Sequence, residues 1–409
     1  MKHFMQTESN ILKEQQNISK ELLGYTNTEL LANGGSHTAK EIGQQPQLWK
    51  KVWQLLSDKK EELVTFLNQA YKEDGMSILL TGAGTSAFIG NVLQGSFQKN
   101  TGILTAAIAT TDLVLYPEHY FNKKATLLIS FARSGDSPES LAAVNIANEF
   151  CDKVYHLIVT CNPLGQLVIS SQIGDKNTLV ILLPTEANDN GLAMTGSFTS
   201  MLLTGLLISR IEEIKDLKSQ VTLLSIYGNH ILENYSDALR EIAKLDFQRA
   251  IFLGSGPLRS VAHESDLKLQ ELTDGTVICK SDSFLGFRHG PKAVINPATL
   301  LVYLFSNNTH VHQYEKDLIR DISKGEKGLF RIGIIEKNAG EDLEVDVLIE
   351  LAPNGESLDE EFMSIVSVIP AQLLGFYKSI DLGLTPDMPS KQETITRVVR
   401  GVTIYPFPK

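Results

Sequence analysis

Cysteine is scarce in this chain, and the cysteines that it has stand far apart. The 409 residues include only Cys151, Cys161 and Cys279, and no two of them form a Cys-x-x-Cys pair. This spacing gives no sign of a disulfide framework and is typical of reduced thiols in a cytosolic protein. We therefore predict a cytoplasmic location.

Long apolar runs and an excess of positive charge are also missing. The longest apolar stretches, Met201–Ile208 and Ile365–Phe376, are too short to span a bilayer, and the first residues show no signal-peptide core. A formal net charge of −11 argues against nucleic-acid binding, which requires a basic surface. We expect neither a membrane nor a nucleic acid as a partner, whereas a phosphorylated substrate stays compatible with this charge.

Short apolar strands alternate with helices over most of the chain, and the whole series occurs twice. This pattern is typical of parallel sheets covered by helices on both faces. A helix over Glu361–Ser379 closes the second series. The predicted strands are Ser77–Leu80, Ile103–Ala107, Thr126–Ser130, Val154–Thr160 and Leu179–Leu183, then Ala250–Gly254, Gly275–Cys279, Thr299–Phe305, Phe330–Ile335 and Asp346–Glu350.

The repeat divides the chain into four parts. We predict an N-terminal helical extension over residues 1–45, a first domain over 46–215, a second domain over 216–380 and a tail over 381–409. The spacing between equivalent positions is far too long for a solenoid and fits two copies of one domain. The predicted fold class is α/β, with two tandem domains that are each a parallel sheet flanked by helices.

One strand-to-helix loop of the first series has the composition of an anion site. The loop over Arg133–Ser137 places the hydroxyl groups of Ser134 and Ser137 before a helix, where free N–H groups and the helix dipole bind phosphate. The alternative is an ordinary turn in which Ser137 caps the helix. Ser306–His310, at the equivalent place of the second series, lacks the Ser-Gly-x-Ser pattern, so we expect one phosphate site per chain.

A glycine-rich loop follows the first strand. The segment Gly82–Ala87 formally matches the dinucleotide fingerprint G-x-G-x-x-A, but no acidic residue ends the next strand as a dinucleotide site requires. Thr85 and Ser86 offer hydroxyl groups to a monophosphate instead, and the predicted phosphate-binding part of the loop begins at Gly84. Glycines that only close a tight turn are the alternative interpretation.

Three charged residues fall on one face of a predicted helix in the second series. Glu264, Lys268 and Glu271 follow the spacing i, i+4, i+7, close to a strand end where ligands of open α/β sheets bind. A carboxylate beside a lysine suits a general base there. A solvated face with weak ion pairs is the alternative.

Histidines provide one further candidate. His289 stands in a loop bounded by Gly-Pro and suits acid–base chemistry near neutral pH, with a purely structural hydrogen bond as the alternative. His310 and His312 have no third ligand near them in the sequence, so we predict no metal site.

Together these motifs resemble a double SIS (sugar isomerase) domain protein. The two loops and the Glu-x-x-x-Lys-x-x-Glu…His-Gly-Pro run are similar to the isomerase half of glucosamine-6-phosphate synthase. Thr38–Ile42, Phe131–Ser140, Phe284–Pro291 and Gly401–Pro406 are closer to the bacterial tagatose-6-phosphate ketose/aldose isomerases, also described as galactosamine-6-phosphate deaminase/isomerases. The resemblance implies flavodoxin-like three-layer domains.

The resemblance also implies a role for each candidate. Glu271 takes the place of the isomerase base, Lys268 that of its neighbouring lysine, and His289 that of a ring-opening histidine supplied by the other subunit of a dimer. Arg400 aligns with a catalytic lysine but cannot act as a neutral amine, so it would contact substrate oxygens. The residues expected to bind the phosphate are Gly84, Thr85, Ser86, Arg133, Ser134 and Ser137.

The implied reaction converts D-galactosamine 6-phosphate to D-tagatose 6-phosphate and ammonia, without a cofactor. Ring opening and proton transfer from C2 to C1 would produce a C2 imine that hydrolyses. The implied partners are the sugar phosphate and further copies of the chain, in a homodimer or higher homo-oligomer with shared active sites. Two alternatives stay open: an aldose–ketose isomerase that does not deaminate, and a non-catalytic regulator that senses a phosphosugar.

Overall fold

In the computed structural model, residues 21–171, 176–399 and 401–407 are described. Residues 1–20 of the predicted N-terminal extension lie outside this part. The first described helix begins with a complete capping box between Thr26 and Glu29. The helices before the first sheet are α1 (Asn27–Ala32), α2 (Ser36–Gly43), α3 (Gln45–Asp58) and α4 (Lys60–Tyr71).

The first series forms a parallel five-stranded sheet, as predicted. Its strands lie in the order β2-β1-β3-β4-β5, and all neighbours are parallel. The central strand β3 is buried at every position, as expected for a strand covered by helices on both faces. The strands are β1 (Ser77–Thr81), β2 (Thr105–Ala107), β3 (Ala125–Ala132), β4 (Lys153–Thr160) and β5 (Thr178–Leu182).

The helices of the first half cover this sheet. The last of them is buried at every position, because it packs against α3 on one side and α5 on another. The helices are α5 (Thr85–Thr101), α6 (Thr110–Leu115), α7 (Pro117–Tyr120), α8 (Pro138–Phe150), α9 (Gln166–Ser171) and α10 (Gly196–Ser209).

The second series repeats the topology, with the strand order β10-β9-β8-β6-β7 and parallel neighbours throughout. The predicted strand Gly275–Cys279 was placed too early. Asp274 and Gly275 have positive φ values and form the turn after the preceding helix, so the strand starts three residues later. The strands are β6 (Arg249–Gly254), β7 (Ile278–Ser283), β8 (Thr299–Leu304), β9 (Phe330–Ile335) and β10 (Val347–Glu350).

The predicted helix Glu361–Ser379 is two helices, divided where Pro370 sits in the first turn of the second. Residues 360–381 are long and apolar enough to span a bilayer, but 94% of their apolar window is buried in the protein, which makes them a core element. The helices of this half are α11 (Lys218–Asn234), α12 (Ser236–Ala243), α13 (Pro257–Leu272), α14 (Phe284–Phe287), α15 (Thr309–Ile322), α16 (Glu360–Val366) and α17 (Ile369–Asp381).

The two halves meet through their inner helices. α5 of the first half packs against α13 of the second, and one hydrophobic core continues through both halves. This contact brings the beginning of α5 beside the charged residues of α13. The exact domain boundaries remain a prediction.

Candidate active site

The loops after β1 and β3 meet at the same edge of the first sheet. β1 and β3 are neighbours, and the chain continues from β1 to β2 on one side and from β3 to β4 on the other. Ligands of open α/β sheets bind in the crevice that such a reversal opens at the carboxyl ends of the strands. Both loops that we predicted to bind phosphate border this crevice.

A cavity of about 100 Å³ occupies the crevice. Ser137 is the N-cap of α8, as the alternative interpretation of this loop states, because its side chain accepts a hydrogen bond from the N–H of Ser140. The hydroxyl groups in the wall and the N-terminus of α8 are suited to bind an anion. The wall includes Ser86, Ser134, Ser137, Ser140, Met194 and Arg397.

Thr85, which we also predicted to bind phosphate, faces a different group. It follows Gly84, whose φ of +55° lies in the region that favours glycine and starts α5. The buried Thr85 hydroxyl accepts a hydrogen bond from Nζ of Lys268 at 3.0 Å. Thr85 therefore connects the loop after β1 to the charged face of α13.

That charged face is buried, which excludes the alternative of a solvated surface. The side chains of Lys268 and Glu264 are fully buried, whereas that of Glu271 keeps 23% exposure. Nζ of Lys268 lies 2.5 Å from Oε2 of Glu271 and 3.4 Å from Oε1 of Glu264. Glu271 is thus the nearer partner of the lysine. Of the two carboxylates, it is also the one that a substrate can reach.

Burial and the two carboxylates determine the charge states of this face. Burial by itself lowers the pKa of Lys268, but Glu264 and Glu271 raise it above its ordinary value. Burial raises the pKa of Glu264 to about 8, although the attraction of Lys268 opposes this rise. At neutral pH, therefore, Glu264 is protonated, and the nearer partner of the Lys268 ammonium is Glu271.

Comparison with known proteins identifies the family. The SIS domain family model matches residues 71–209. The D-galactosamine-6-phosphate deaminase AgaS of Shewanella sp. (strain ANA-3) is 38% identical over 387 residues, which cover 93% of this chain and 95% of that protein. The chain belongs to the AgaS family. An Escherichia coli protein of the same name is 36% identical over 387 residues, 93% of this chain and 98% of that protein.

Solved structures agree with membership in the AgaS family. The tagatose-6-phosphate ketose/aldose isomerase from Escherichia coli matches with a TM-score of 0.82 and 34% identity, over 92% of this chain and 98% of that chain. The C-terminal domain of glucosamine-fructose-6-phosphate aminotransferase from Francisella tularensis matches with a TM-score of 0.71 and 18% identity, over 86% and 98%, and shows the fold alone. The predicted family and SIS fold are confirmed.

In this AgaS family member, the guanidinium of Arg133 is bound to the main chain. Its Nη1 donates to the carbonyl oxygens of Gly191 at 3.2 Å and Leu192 at 3.0 Å. Its Nη2 donates to the carbonyl oxygen of Arg397 at 2.6 Å. Arg133 lies in the cavity wall, as predicted for a phosphate ligand, but these bonds occupy most of the side chain.

His289 and Arg400 lie apart from this group. His289 is exposed after α14 and forms no ion pair with Glu264 or Glu271 within the described residues of one chain. Arg400 lies outside the described residues. The roles that the resemblance implies for these two residues remain predictions.

Two buried carboxyl groups behind the cavity were missed by sequence reasoning. The fully buried Asp189 accepts hydrogen bonds from the N–H of Thr195 and from the N–H and hydroxyl of Ser197, where α10 begins. Glu41 accepts from the N–H of Gly191, and burial, reinforced by Asp189, raises the pKa of Glu41 to about 7. Glu41 belongs to a segment that carries the family resemblance, but no local pattern marks Asp189.

The equivalent crevice of the second sheet contains the protein's own carboxylates. The N–H of Ser306, two residues after β8, donates to the buried Glu315 at 3.0 Å, and the Ser306 hydroxyl donates to Glu360. A phosphate in that crevice would meet two carboxylates and be repelled. This arrangement supports the prediction of one phosphate site per chain.

Proposed function

We propose that this chain is a D-galactosamine-6-phosphate deaminase, which converts D-galactosamine 6-phosphate and water to D-tagatose 6-phosphate and ammonia. Relatives of that name are 36% and 38% identical over most of the chain. The observation that carries the proposal is the hydrogen bond between Lys268 and Thr85, because it joins an acid–base face to a phosphate loop.

The phosphate binds at the cavity of the first sheet. Ser86, Ser134 and Ser137 line that cavity, and the N-terminus of α8 adds N–H groups and the positive end of its dipole. A sugar held there by its 6-phosphate extends its C1–C2 end toward α13, where Glu271 is accessible.

Glu271 is the base of the reaction. It removes the C2 proton of the open-chain amino aldehyde and returns this proton to C1, which leaves an imine at C2. Lys268 lies 2.5 Å from Glu271 and stabilises the negative charge that develops in the enol-like intermediate. Water then adds to the C2 imine, and ammonia leaves with formation of the ketose.

Ring opening requires a second acid–base group, and we assign it to His289 of the partner subunit in a cytoplasmic homodimer. Its exposure on the loop after α14, and its lack of an ion pair with the α13 carboxylates within the described part of one chain, are compatible with action across an interface. Arg400 contacts substrate oxygens in this proposal.

A second candidate is aldose–ketose isomerisation without loss of ammonia. It is favoured by the structural neighbour at 34% identity, which is called tagatose-6-phosphate ketose/aldose isomerase. Glu271 and Lys268 serve this reaction equally well, since only the substituent at C2 differs. The two candidates therefore differ in whether the amino sugar or the hydroxy sugar is turned over.

An ammonia-release assay separates these candidates. Ammonia is measured after the purified protein is given galactosamine 6-phosphate, glucosamine 6-phosphate or one of their N-acetyl forms. Ketose formation is followed in parallel. Tagatose 6-phosphate is the substrate with which the reverse reaction is tested. We expect ammonia from galactosamine 6-phosphate, and a loss of at least about 100-fold in Glu271→Gln. Glu233→Gln, on the exposed face of α11, is the matched control. Ammonia release by Glu271→Gln at the wild-type rate contradicts the mechanism.

A further inference from the structure

The C-terminal tail crosses the phosphate cavity. Arg397, Val398 and Val399 form part of the cavity wall, although they lie more than 250 residues from the loop after β3. Residues 391–396 before them are exposed throughout. Farther along, the ring of Phe407 lies 5.4 Å from that of Phe150 at the end of α8. We call the described residues 391–399 and 401–407 the strap.

Two arginines attach the strap to the body of the protein. Arg133 donates from Nη1 to the carbonyls of Gly191 and Leu192, and from Nη2 to the carbonyl of Arg397. Both Nη1 hydrogens are consumed by these bonds, since each Nη carries two. Arg133 is only 7% exposed.

Arg397, which belongs to the strap, donates hydrogen bonds to the body of the protein. Its Nε donates to the carbonyl of Asp189 at 2.9 Å, and its Nη2 donates to the same carbonyl at 2.6 Å and to Oδ1 of Asn188 at 2.8 Å. The segment 188–192 therefore receives both guanidinium groups. That segment is itself fixed, because the buried Asp189 carboxylate holds the start of α10 through Thr195.

The positive charge of Arg133 acts on the buried acid Asp189. Burial raises the pKa of Asp189, and the positive charge of Arg133 opposes that rise. Three of the five guanidinium hydrogens of Arg133 point to main-chain carbonyl oxygens, so the main chain, and not a phosphate, takes most of its donors.

We propose that Arg133 and Arg397 form a clip that seats the strap over the phosphate cavity, and that Arg133 is a positioning residue for the strap and not a ligand of the phosphate. This inference rests on the proposed function in one respect, since it takes the cavity to be the phosphate site. The clip explains why an arginine stands at position 133, where we had expected a residue that binds the phosphate.

Hydrogen exchange and steady-state kinetics of full-length variants test the clip. The variants are Arg133→Gln, Arg133→Lys, Arg397→Gln and the double variant with glutamine at both positions. Arg240→Gln is the matched control, because Arg240 also donates to a main-chain carbonyl, that of Gly24, away from the cavity. Exchange is measured on peptides covering residues 391–407, and KM and kcat are measured with the sugar phosphate.

We expect faster exchange of the strap in every variant except Arg240→Gln. KM rises about tenfold in Arg133→Gln and Arg397→Gln, because charged hydrogen bonds are lost, while kcat changes much less. The double variant resembles the worse single variant, since both substitutions open one clip. Arg133→Lys resembles Arg133→Gln, because an ammonium cannot bridge three carbonyls as a planar guanidinium does.

Three results overturn the proposal. They are KM effects that multiply to about 100-fold in the double variant, a lysine at position 133 that restores wild-type KM, and strap exchange that is unchanged in Arg397→Gln. If Arg133→Gln fails to fold, the exchange and the KM of Arg397→Gln alone test the proposal. The side chain of Arg397 lies nearer the surface, so we expect this variant to fold. Hydrogen exchange of the strap is measured without substrate turnover. The test of the clip therefore does not depend on the result of the ammonia-release assay.

Discussion

Replacing Glu264 by glutamine should remove a pH dependence from the stability of this protein. Glu264 is fully buried on α13, and Lys268 lies closer to Glu271 than to it. One ammonium balances one carboxylate in a dry site, so the second carboxylate is held as the neutral acid. Burial accordingly raises the pKa of Glu264 from its ordinary 4.5 to about 8.

The sign and size of the effect follow from proton linkage. Between pH 4.5 and 8 the folded chain keeps a proton on Glu264 that the unfolded chain has lost. The stabilisation is fully present below pH 4.5 and is lost as the pH rises through 8, at about 1.4 kcal/mol per pH unit. From pH 5 to pH 8, wild type should lose about 3 kcal/mol relative to Glu264→Gln, whose amide does not titrate.

Urea unfolding at half-unit pH steps measures this difference. The fluorescence of Trp49, which is fully buried and donates to Thr199, reports unfolding in the first half of the chain, and Trp53 lies on the same helix. Glu233→Gln, which removes an exposed carboxylate, should keep the wild-type pH dependence. Parallel curves for wild type and Glu264→Gln would refute the reasoning, because they would mean that Glu264 is ionised in the folded protein.

Three further substitutions test the site and its supports. Ser137→Ala removes the N-cap of α8 and should lower the free energy of unfolding by about 1 kcal/mol while raising KM; an unchanged urea midpoint contradicts the capping role. Thr85→Val removes the acceptor of the buried Lys268 ammonium, and kcat in the ammonia assay should fall about tenfold with α-helical circular dichroism unchanged. Gly84→Ala forces a side chain into φ of +55° and should lower stability by about 1 to 2 kcal/mol, whereas Gly95→Ala inside α5, also in open space, should raise it by about 0.5 to 1 kcal/mol.

Local patterns were enough to predict most of the strands and several helix ends. β9 was predicted to the residue, and β1, β3, β4 and β8 within a few residues, because parallel strands buried on both faces are short apolar runs between turns. The cap of α8 at Ser137 follows from the chemistry of one residue. The turn at Asp274 was missed, although Asp274-Gly275 is an Asp-Gly dipeptide, which commonly marks a turn.

The sequence by itself determined the two-sheet architecture, the family and the residue types at the loops, because these depend on periodicity and on neighbours along the chain. Only the tertiary structure decided what each charge faces. Lys268 meets Thr85 across 183 residues, and Arg133 meets the carbonyl of Arg397 across 264. A guanidinium binds a phosphate or a carbonyl oxygen with the same donors, so its partner depends on which acceptor the folded chain brings within reach.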